Sequence, residues 1–482
     1  MASVKKNFLY NVGYQILQIT LPLITSPYLA RILGADGVGT YSYINSIATN
    51  FVLFGMLGIS NHGSRSIAMA GKDRKIRSDV FSRIYSIQLI SASIVNVAFI
   101  LYATLIAKQY TALLLLQVPH VMSALFDITW LFNGRENFKT TTLRNCFVKI
   151  TSVVLIFIIV KDRSDIDKYL IIMGMSFLVS QLIMWIQVKK HVDLIGLHFS
   201  KIKEDIVPII VLFVPIIAYT IYRLMDKIML GSMTGSMVQV GWYENAEKII
   251  SIPVGLITAL GVVMLPRMSY LTAVGKEDST QSVIETSFIF ASIIAFSTGF
   301  GLIGCGKRLA LVFFGKEFDG CGDLIMLLAC SIPFIAWANV IRTQFLIPKK
   351  KDSIYLLSTM TGAILNFCIN ILLIPILGAQ GAVIGSIIAE ASVFIVQFVK
   401  TKKEIDYFSF FRQIIPYVAM TCLMCIGVYQ VGKITDDTVL GLIIQVMLGI
   451  VLFCIMLLGY SLVGRDTICA YIRRILKNKK DL

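Results

Sequence analysis

Long apolar runs are the feature of this sequence that most limits how it can fold. Fourteen such runs follow one another along 482 residues, separated by short polar segments. A helix of about 20 mainly apolar residues spans the hydrocarbon core of a bilayer. The runs lie at residues 8–31, 38–60, 84–107, 110–133, 146–160, 169–188, 208–231, 240–264, 283–304, 322–346, 354–376, 380–399, 414–432 and 439–463. The sequence therefore predicts an all-α, polytopic membrane protein with about fourteen transmembrane helices.

Helices are favoured over barrel strands because the runs do not alternate between apolar and polar residues. The stretches 153–160 and 439–459 are almost continuously apolar, whereas a barrel strand alternates over about ten residues. Only 15% of the residues are charged, against about a quarter in soluble proteins. This composition excludes a soluble enzyme, a nucleic-acid-binding protein and a disordered chain.

The basic residues predict the orientation of the helices. Lys and Arg number 44 and exceed Asp and Glu by 16. If the amino terminus is cytoplasmic, 30 of the 44 fall in cytoplasmic segments and 8 in external ones. The positive-inside rule then places both termini in the cytoplasm. We therefore attribute the net positive charge to membrane topology. Anionic membrane lipids are an expected partner of these basic residues, and nucleic acid is not.

The segments between the runs contain no recognisable catalytic domain or motif. The longest predicted external loop, 305–321, has about 17 residues, which weighs against a membrane-bound glycan polymerase or ligase. The stretch Gly301–Lys307 fits the spacing of a phosphate-binding loop, but Arg308 follows where Ser or Thr is needed and no strand precedes it. The histidines show no metal-ligand spacing, and the CxxC of Cys422 and Cys425 lies inside an apolar run, where packing is favoured over a redox or metal role. We therefore predict a transporter that is not an enzyme and has no cofactor or metal.

A short internal repeat suggests two related halves. The phrase Arg31-Ile-Leu-Gly ends the first run, and Lys227-Ile-Met-Leu-Gly ends the seventh. Each is followed by Val-Gly and a tyrosine as the next run begins. Six spans separate the copies, so both would have the same orientation, an arrangement found in transporters. The expected architecture is two six-helix bundles around a central cleft.

Charges inside the apolar runs are the strongest sign of function, because each costs about 2.5–3.5 kcal/mol at the centre of a membrane helix. Seven fall in the outer half of the predicted bundle: Arg31, Arg223, Asp226, Lys227, Glu244, Glu247 and Lys248. On the seventh and eighth spans they recur at spacings of three and four residues, which places them on one helix face.

Two interpretations of these charges remain open. The acids and bases of the two spans could pair with each other and only hold the helices together. Alternatively, Arg31, Arg223, Lys227 and Lys248 face a cleft and hold an anionic group, with Asp226, Glu244 and Glu247 as supporting acids. Arginine binds two phosphate oxygens at once, which suits such a role. Asp127 and Glu390 are candidates for ion coupling, with a hydrogen bond at a helix end as the alternative.

Residues 242–269, which read Trp-Tyr-Glu-Asn-Ala-Glu-Lys and end Met-Leu-Pro-Arg-Met-Ser, resemble the oligosaccharide (Wzx-type) flippases. Asp226–Gly231 before them and Leu372–Gly385 after them also resemble this family. It is the polysaccharide transport branch of the multidrug/oligosaccharidyl-lipid/polysaccharide exporter superfamily. The resemblance implies alternating access by two six-helix bundles, 1–205 and 206–401, with an appended helix pair and basic tail at 402–482.

The resemblance also implies a substrate and a place in the cell. The substrate would be an undecaprenyl-diphosphate-linked repeat unit, moved across the bacterial cytoplasmic membrane for capsule, exopolysaccharide, O-antigen or teichoic acid assembly. A glycan polymerase of the same pathway would be a partner. Three alternatives remain: a drug or cation antiporter of the same superfamily, a membrane-bound polymerase or ligase, and a flippase for peptidoglycan precursors.

Overall fold

The computed structural model describes residues 2–193, 196, 202–464 and 469. Within these ranges the side chains of residues 2–16, 19, 202–203, 215, 218–219, 221–223 and 277–279 lie outside the description. The described chain is helical from end to end, with short connections and without a strand. Among the described residues, eleven helical segments are long and apolar enough to cross a membrane, or up to twelve if a bent pair counts as one span. The prediction of an all-α polytopic membrane protein is therefore confirmed.

Two compact units divide the chain, Met1–Gly231 and Ser232–Leu482. The helices of the first are α1 (Ala2–Met56), α2 (Ile59–Ala70), α3 (Arg74–Leu101), α4 (Thr111–Leu115), α5 (Val118–Phe126), α6 (Thr129–Gly134), α7 (Phe138–Ile159), α8 (Ile166–Trp185) and most of α9 (Ile202–Thr234). The second contains α10 (Met237–Ala273), α11 (Glu277–Phe314), α12 (Asp319–Ala329), α13 (Ile332–Ile341), α14 (Asp352–Leu377), α15 (Ala379–Thr401), α16 (Tyr407–Ile434) and α17 (Val439–Val463).

Each of the fourteen predicted runs lies largely within these helices. Helix α1 (Ala2–Met56) contains the first run and most of the second, and it is broken between them at Gly34, where the backbone has φ 71° and ψ −179°. Two other runs are each built from shorter helices, the fourth from α4, α5 and α6 and the tenth from α12 and α13. At about 1.5 Å per residue, 55 residues of unbroken helix would far exceed the thickness of a bilayer. The break at Gly34 therefore converts α1 into two spans.

The core of the first unit is built around tightly packed aromatic rings. Phe81 of α3 stacks on Trp130 of α6 with ring centroids 5.4 Å apart, and the Trp130 indole N–H donates to Gln88 Oε1 at 3.0 Å. A Cβ on Gly63 of α2 would lie 2.6 Å from the Trp130 ring. Only glycine allows α2 to approach so closely, which fixes this short helix on the unit.

Helix α9 is attached to the first unit by a close backbone contact and an ionic cluster. A Cβ on Gly58 would lie 2.1 Å from the carbonyl oxygen of Ile209. His62 Nε2 of α2 lies 2.8 Å from Asp205 Oδ1, and Arg83 Nε of α3 lies 3.1 Å from Asp205 Oδ2. These contacts group α9 with the first unit, whereas the sequence placed the start of the second bundle at residue 206. The functional division into 1–205, 206–401 and 402–482 stays a prediction.

In the second unit, small residues let neighbouring helices pack closely. A Cβ on Gly381 of α15 would lie 2.5 Å from the backbone of Leu373 in α14. Buried Ile289 of α11 and Tyr417 of α16 form an apolar cluster against which Tyr460 of α17 packs. The last two helices thus pack on α11 inside the unit.

Candidate functional site

The eighth span carries an ion pair inside its membrane-spanning length. Lys248 Nζ lies 3.2 Å from Glu244 Oε1, one turn earlier on α10, and 3.4 Å from Asn245 Oδ1. The Lys248 side chain is 30% exposed and that of Glu244 is 14% exposed. Lys248 therefore keeps part of its side chain exposed although a carboxylate lies beside it.

Three side chains in the five residues before Glu244 hold α10 against its neighbours. Tyr243 Oη lies 3.0 Å from Ser386 Oγ of α15, and Gln239 Oε1 accepts from the N–H of Ala379 at 2.8 Å. The Trp242 indole N–H donates to the carbonyl of Glu317 at 2.8 Å. These hydrogen bonds join α10 both to α15 and to the backbone at Glu317. The helix, and not only their own pairing, therefore sets the positions of Glu244 and Lys248.

The seventh span and the first span contribute the other predicted basic residues. Asp226 of α9 is buried and Lys227 beside it is half-buried. Arg31 is exposed on α1, three residues before the break at Gly34. The side chain of Arg223 lies outside the described residues. Arg31 and Lys227 belong to the first unit and Lys248 to the second, so their joint action on one ligand stays a prediction.

The remaining predicted acids have different surroundings. Asp127 Oδ1 accepts from the N–H of Thr129 at 2.9 Å, at the start of α6. This is a hydrogen bond at a helix end, the alternative that the sequence left open. Glu247 on α10 and Glu390 on α15 are half-buried, and their role in ion coupling stays a prediction.

Three described arginines, Arg77, Arg144 and Arg308, are buried although the sequence placed them in segments between the spans. Arg144 was counted in a cytoplasmic loop, but α7 begins at Phe138, earlier than the predicted 146, and Arg144 is buried in it. Its guanidinium donates to Asn145 Oδ1 at 2.7 Å and to Gln181 Oε1 at 2.9 Å. Apolar periodicity could not reveal it, because the pattern does not show that the amides of Asn145 and of Gln181 on α8 accept its hydrogen bonds.

Arg308, another of these arginines, follows the false phosphate-loop motif directly. Residues 301–308 form part of helix α11, without a loop. Within the motif, a Cβ on Gly304 would lie 2.9 Å from the Val428 side chain, and one on Gly306 would lie 2.8 Å from that of Met326. The glycines therefore serve helix packing against α16 and α12.

Positive charge is concentrated on loops that the sequence assigns to the cytoplasmic face. The pKa of His191, which follows α8, is lowered first by burial and then by the charges of Arg135, Arg77, Lys190 and Arg74. His191 is therefore held neutral. On the second unit the pKa of Glu404, between α15 and α16, is lowered mainly by its hydrogen bond with Lys351.

The described cysteines are free thiols, and among the described residues no group of three His, Cys, Asp or Glu side chains could hold a metal ion. Cys422 and Cys425, which share a CxxC spacing, are half-buried in α16. Their surroundings are apolar, with Met424 and Val428 in the same cluster as Cys305 of α11. Packing accounts for this part of the sequence.

The predicted repeat has only a partial counterpart in the backbone. Gly34 of the first copy takes a positive φ of 71°, but Gly231 of the second lies inside α9 and the positive φ, 66°, falls on Gly235. Gly378, in the similar phrase between α14 and α15, again has a positive φ of 58°. The Leu-Gly signal therefore marks a sharp turn at the first and third occurrences only.

A family model described as polysaccharide biosynthesis protein matches residues 4–272. A protein of Shigella dysenteriae named as an O-antigen transporter is 26% identical over 395 residues, which cover 80% of this chain and 97% of the relative. Its namesake in Escherichia coli K12 is 25% identical over 353 residues, 72% of this chain and 84% of the relative.

Solved structures share the fold at low sequence identity. The lipid II flippase MurJ, in an inward closed conformation, superposes with a TM-score of 0.78 at 14% identity and covers 95% of this chain and all of that one. An inward-facing multidrug transporter of the MATE family gives a TM-score of 0.58 at 14% identity, covering 81% of this chain and 99% of the other.

Proposed function

The chain belongs to the polysaccharide biosynthesis protein family, and we propose that it is a flippase for a lipid-linked oligosaccharide. The names of its O-antigen transporter relatives support this proposal, as does the absence of a large external loop in the sequence. We propose that the protein lies in the bacterial cytoplasmic membrane with both termini inside. A reporter that folds only in the cytoplasm, fused to the carboxyl terminus, tests that orientation.

The observation that carries the proposal is a partly accessible cation in the membrane-spanning part of α10. Lys248 remains 30% exposed beside Glu244, although a charge at this depth is costly. The Glu244–Lys248 contact is an i,i+4 pair on α10, and such pairs contribute only about 0.3–0.5 kcal/mol. We infer that Lys248 is kept inside the membrane, despite its free-energy cost, because it binds an anion and not because it adds stability.

The chemistry of the proposed substrate fits a cation in this place. A diphosphate bearing sugars cannot enter hydrocarbon unaided, because transfer of a charged group out of water costs many kcal/mol. Its polyprenyl tail, in contrast, prefers the lipid. Lys248, with Arg31, Arg223 and Lys227, would bind the diphosphate, while the tail stays in the bilayer. Glu244 would keep Lys248 oriented and would take over the charge when the head group leaves.

Transport then requires two states that differ in their affinity for the head group. A ligand shifts a conformational equilibrium only by its difference in affinity between the states. We propose alternating access, in which the cations meet the substrate from the cytoplasmic leaflet and release it to the outer one. A polymerase of the same glycan pathway would consume the product. The undecaprenyl diphosphate carrier and this partner remain parts of the proposal.

Deletion of the gene followed by lipid extraction tests the proposed function. We expect the repeat unit on its polyprenyl diphosphate carrier to accumulate in the cytoplasmic leaflet, because synthesis continues while translocation stops. Wild type and Lys316→Glu, an exposed charge reversal in the same unit, should restore export. Lys248→Glu should restore about a tenth or less, equivalent to roughly 1.4 kcal/mol of lost binding.

Other outcomes would point to the alternatives. Accumulation of units that have already reached the outer leaflet but are not polymerised would indicate a polymerase or ligase. If the deletion strain exports glycan normally but becomes sensitive to cationic drugs, the protein is a drug antiporter. Accumulation of peptidoglycan precursors instead of the repeat unit would identify the precursor flippase.

A further inference from the structure

The tenth span widens into a π-helix in its last turn. Helix α13 continues directly into the π-helical segment Arg342–Leu346, where the N–H of Ile347 donates to the carbonyl of Arg342 at 3.0 Å. Such π-helical turns are rare and occur frequently at functional sites. Arg342 is the first residue of the segment and lies inside the membrane-spanning stretch Lys316–Leu346. An unusual backbone turn thus carries a cation within a span.

Arg342 has an aromatic neighbour but no described acceptor for its hydrogen bonds. Its guanidinium carbon lies over the ring of Tyr355 in α14, 5.6 Å from the centroid, within the range of a cation–π interaction. Its Nε is buried and has no partner. The two terminal nitrogens are accessible, and among the described residues no carboxylate or carbonyl accepts from them. The ring therefore contacts one face of the guanidinium, while its fork of donors stays open.

The acidic residues at this end of the second unit do not neutralise Arg342. Glu404 is paired with Lys349 and Lys351. Asp352, in the first turn of α14, is exposed and forms no ion pair with a described cation. An arginine inside a membrane span is normally paired with an acid or with carbonyl groups. Arg342 can therefore bind an anion without first breaking an ion pair.

Arg342 lies at a different depth from Lys248. Gly261 of α10 packs against the residues that flank Arg342, since a Cβ there would lie 2.5 Å from Asn339 Oδ1 and 3.1 Å from Thr343 Oγ1. Gly261 follows Lys248 by 13 residues (248 to 261), or about 20 Å along the helix. The hydrocarbon core is about 30 Å thick. The backbone of Arg342 is thus separated from Lys248 by about two thirds of this thickness.

We propose that Arg342, positioned by the ring of Tyr355, binds the phosphate group of a lipid at the end of the second unit that the sequence assigns to the cytoplasm. Arginine suits this ligand because two of its donors bind two phosphate oxygens at once. Lipid phosphates lie where the spans end, and Arg342 lies four residues, about 6 Å, before the end of this span. The apolar tail of the ligand can then remain in the hydrocarbon.

Under the proposed function, on which this step rests, Arg342 receives the diphosphate of the lipid-linked oligosaccharide before Lys248 does. Synthesis in the cytoplasm delivers the diphosphate to the inner leaflet, at the depth of Arg342. Transfer to Lys248 exchanges one set of hydrogen bonds for another and changes no covalent bond. A diphosphate carries more charge and more acceptor oxygens than the single phosphate of a phospholipid, so an arginine fork favours it.

Photolabelling of the full chain in lipid nanodiscs tests the inference. The probe is a polyprenyl diphosphate with a diazirine on the isoprene unit next to the diphosphate, and mass spectrometry locates the labelled peptides. We expect labelling of residues 332–360 in the wild type and about a tenfold decrease in Arg342→Gln. Arg267→Gln, which removes an exposed arginine from α10 of the same unit, should label like the wild type.

The positioning role of Tyr355 has its own pair of variants. Tyr355→Leu removes the ring and should decrease the labelling about threefold, whereas Tyr355→Phe keeps the ring face and should label like the wild type. Lys248→Glu should still label residues 332–360, because Lys248 lies at another depth. Equal labelling in Tyr355→Leu and Tyr355→Phe would contradict the role of the ring.

Two results would overturn the phosphate site itself. One is the absence of label from residues 332–360 in the wild type, a measurement that needs no variant to fold. The other is equal labelling of the wild type and Arg342→Gln. If the gene deletion leaves the repeat unit at its normal level, the proposed function fails, while the labelling still decides for or against the site.

Competition identifies the source of the phosphate. Unlabelled polyprenyl diphosphate should displace the probe at a lower concentration than phosphatidylglycerol or inorganic diphosphate does. Displacement by phosphatidylglycerol at the same concentration would assign the site to a membrane phospholipid and contradict its role in transport. Displacement by inorganic diphosphate at the same concentration would show that the lipid is not recognised and would contradict the proposal.

Discussion

At the scale of single residues, buried arginines show why a charged side chain inside an apolar helix need not bind a ligand. The Arg308 guanidinium makes five hydrogen bonds, to Asp437, to Thr435 through both its side chain and its carbonyl, to Gln445 and to the carbonyl of Gly432. Its side chain is 6% exposed, against 30% for Lys248. Arg308 is thus fully used in structural hydrogen bonds, whereas Lys248 keeps part of its side chain exposed to a ligand.

We expect Arg308→Lys to lower the stability of the protein by about 2–3 kcal/mol, because an ammonium group cannot reach all these acceptors and leaves buried ones unsatisfied. Thermal unfolding in nanodiscs measures this change. Lys307→Met, at a neighbouring residue whose side chain is 66% exposed, is the control and should change stability little. An Arg308→Lys variant as stable as the wild type would show that the hydrogen bonds contribute no net stability.

At the scale of elements, the break in α1 depends on one glycine. Gly34 adopts φ 71° and ψ −179°, a combination that is essentially restricted to glycine. The sequence predicted two spans around this position from the lengths of the apolar runs. It did not predict the break in the fourth span, although Pro119 was the signal, because the run 110–133 is apolar throughout.

Gly34→Ala should therefore cost about 1–3 kcal/mol of stability through backbone strain. Gly459→Ala is the matched control, since Gly459 lies inside α17 with open space where a Cβ would be. Alanine there should be neutral or slightly stabilising. Thermal unfolding of both variants under the same conditions measures the difference. Equal unfolding temperatures for the two variants would contradict a strained turn at Gly34.

The connections between elements carry a pH-dependent contribution at Glu404. Lys351 and Lys349 both pair with Glu404, and the pKa of its carboxyl is lowered in the folded protein, chiefly by the hydrogen bond with Lys351. A lowered carboxyl pKa stabilises the fold above the unfolded value and loses that contribution as the pH falls through the folded value.

We accordingly expect wild type to exceed Glu404→Gln in unfolding temperature by a constant margin above about pH 5, a margin that shrinks as the pH falls below about 4. The carboxylate is 37% exposed, so solvent screening keeps the margin small. Unfolding temperatures of both proteins measured across this range provide the test. A margin that grows on acidification would contradict the assigned direction.

The residues at which helices begin were predicted least well from the sequence, for a physical reason. The helices α7 and α9 start at Phe138 and Ile202, 8 and 6 residues before the predicted runs at 146 and 208. In both cases the extra turns contain charged residues, Arg144 and Asp205, that are satisfied by distant partners, Gln181 and His62. A hydropathy pattern counts such residues as loop, because it cannot know what they contact.

At the scale of the whole molecule, hydropathy was sufficient to predict the polytopic fold, because the bilayer imposes length and polarity on every span; the orientation predicted from the basic residues stays a prediction. The 242–269 stretch also pointed to the family. The candidate site could be predicted only as a set of charges. Its sequence spacing placed Glu244 and Lys248 on one helix face, but not the Gln239, Trp242 and Tyr243 contacts that hold this helix in place.

The central claim is that Lys248 holds the anionic head group and does not merely pair with Glu244. The most direct measurement is translocation of a fluorescent polyprenyl-diphosphate oligosaccharide in proteoliposomes, comparing the wild type, Lys248→Glu and the double exchange Glu244→Lys with Lys248→Glu. The double exchange restores the ion pair but moves the cation by one turn. We expect it to fold like the wild type and to translocate at about a tenth of its rate or less. Translocation at the wild-type rate by the double exchange would show that pairing alone matters and would contradict the account.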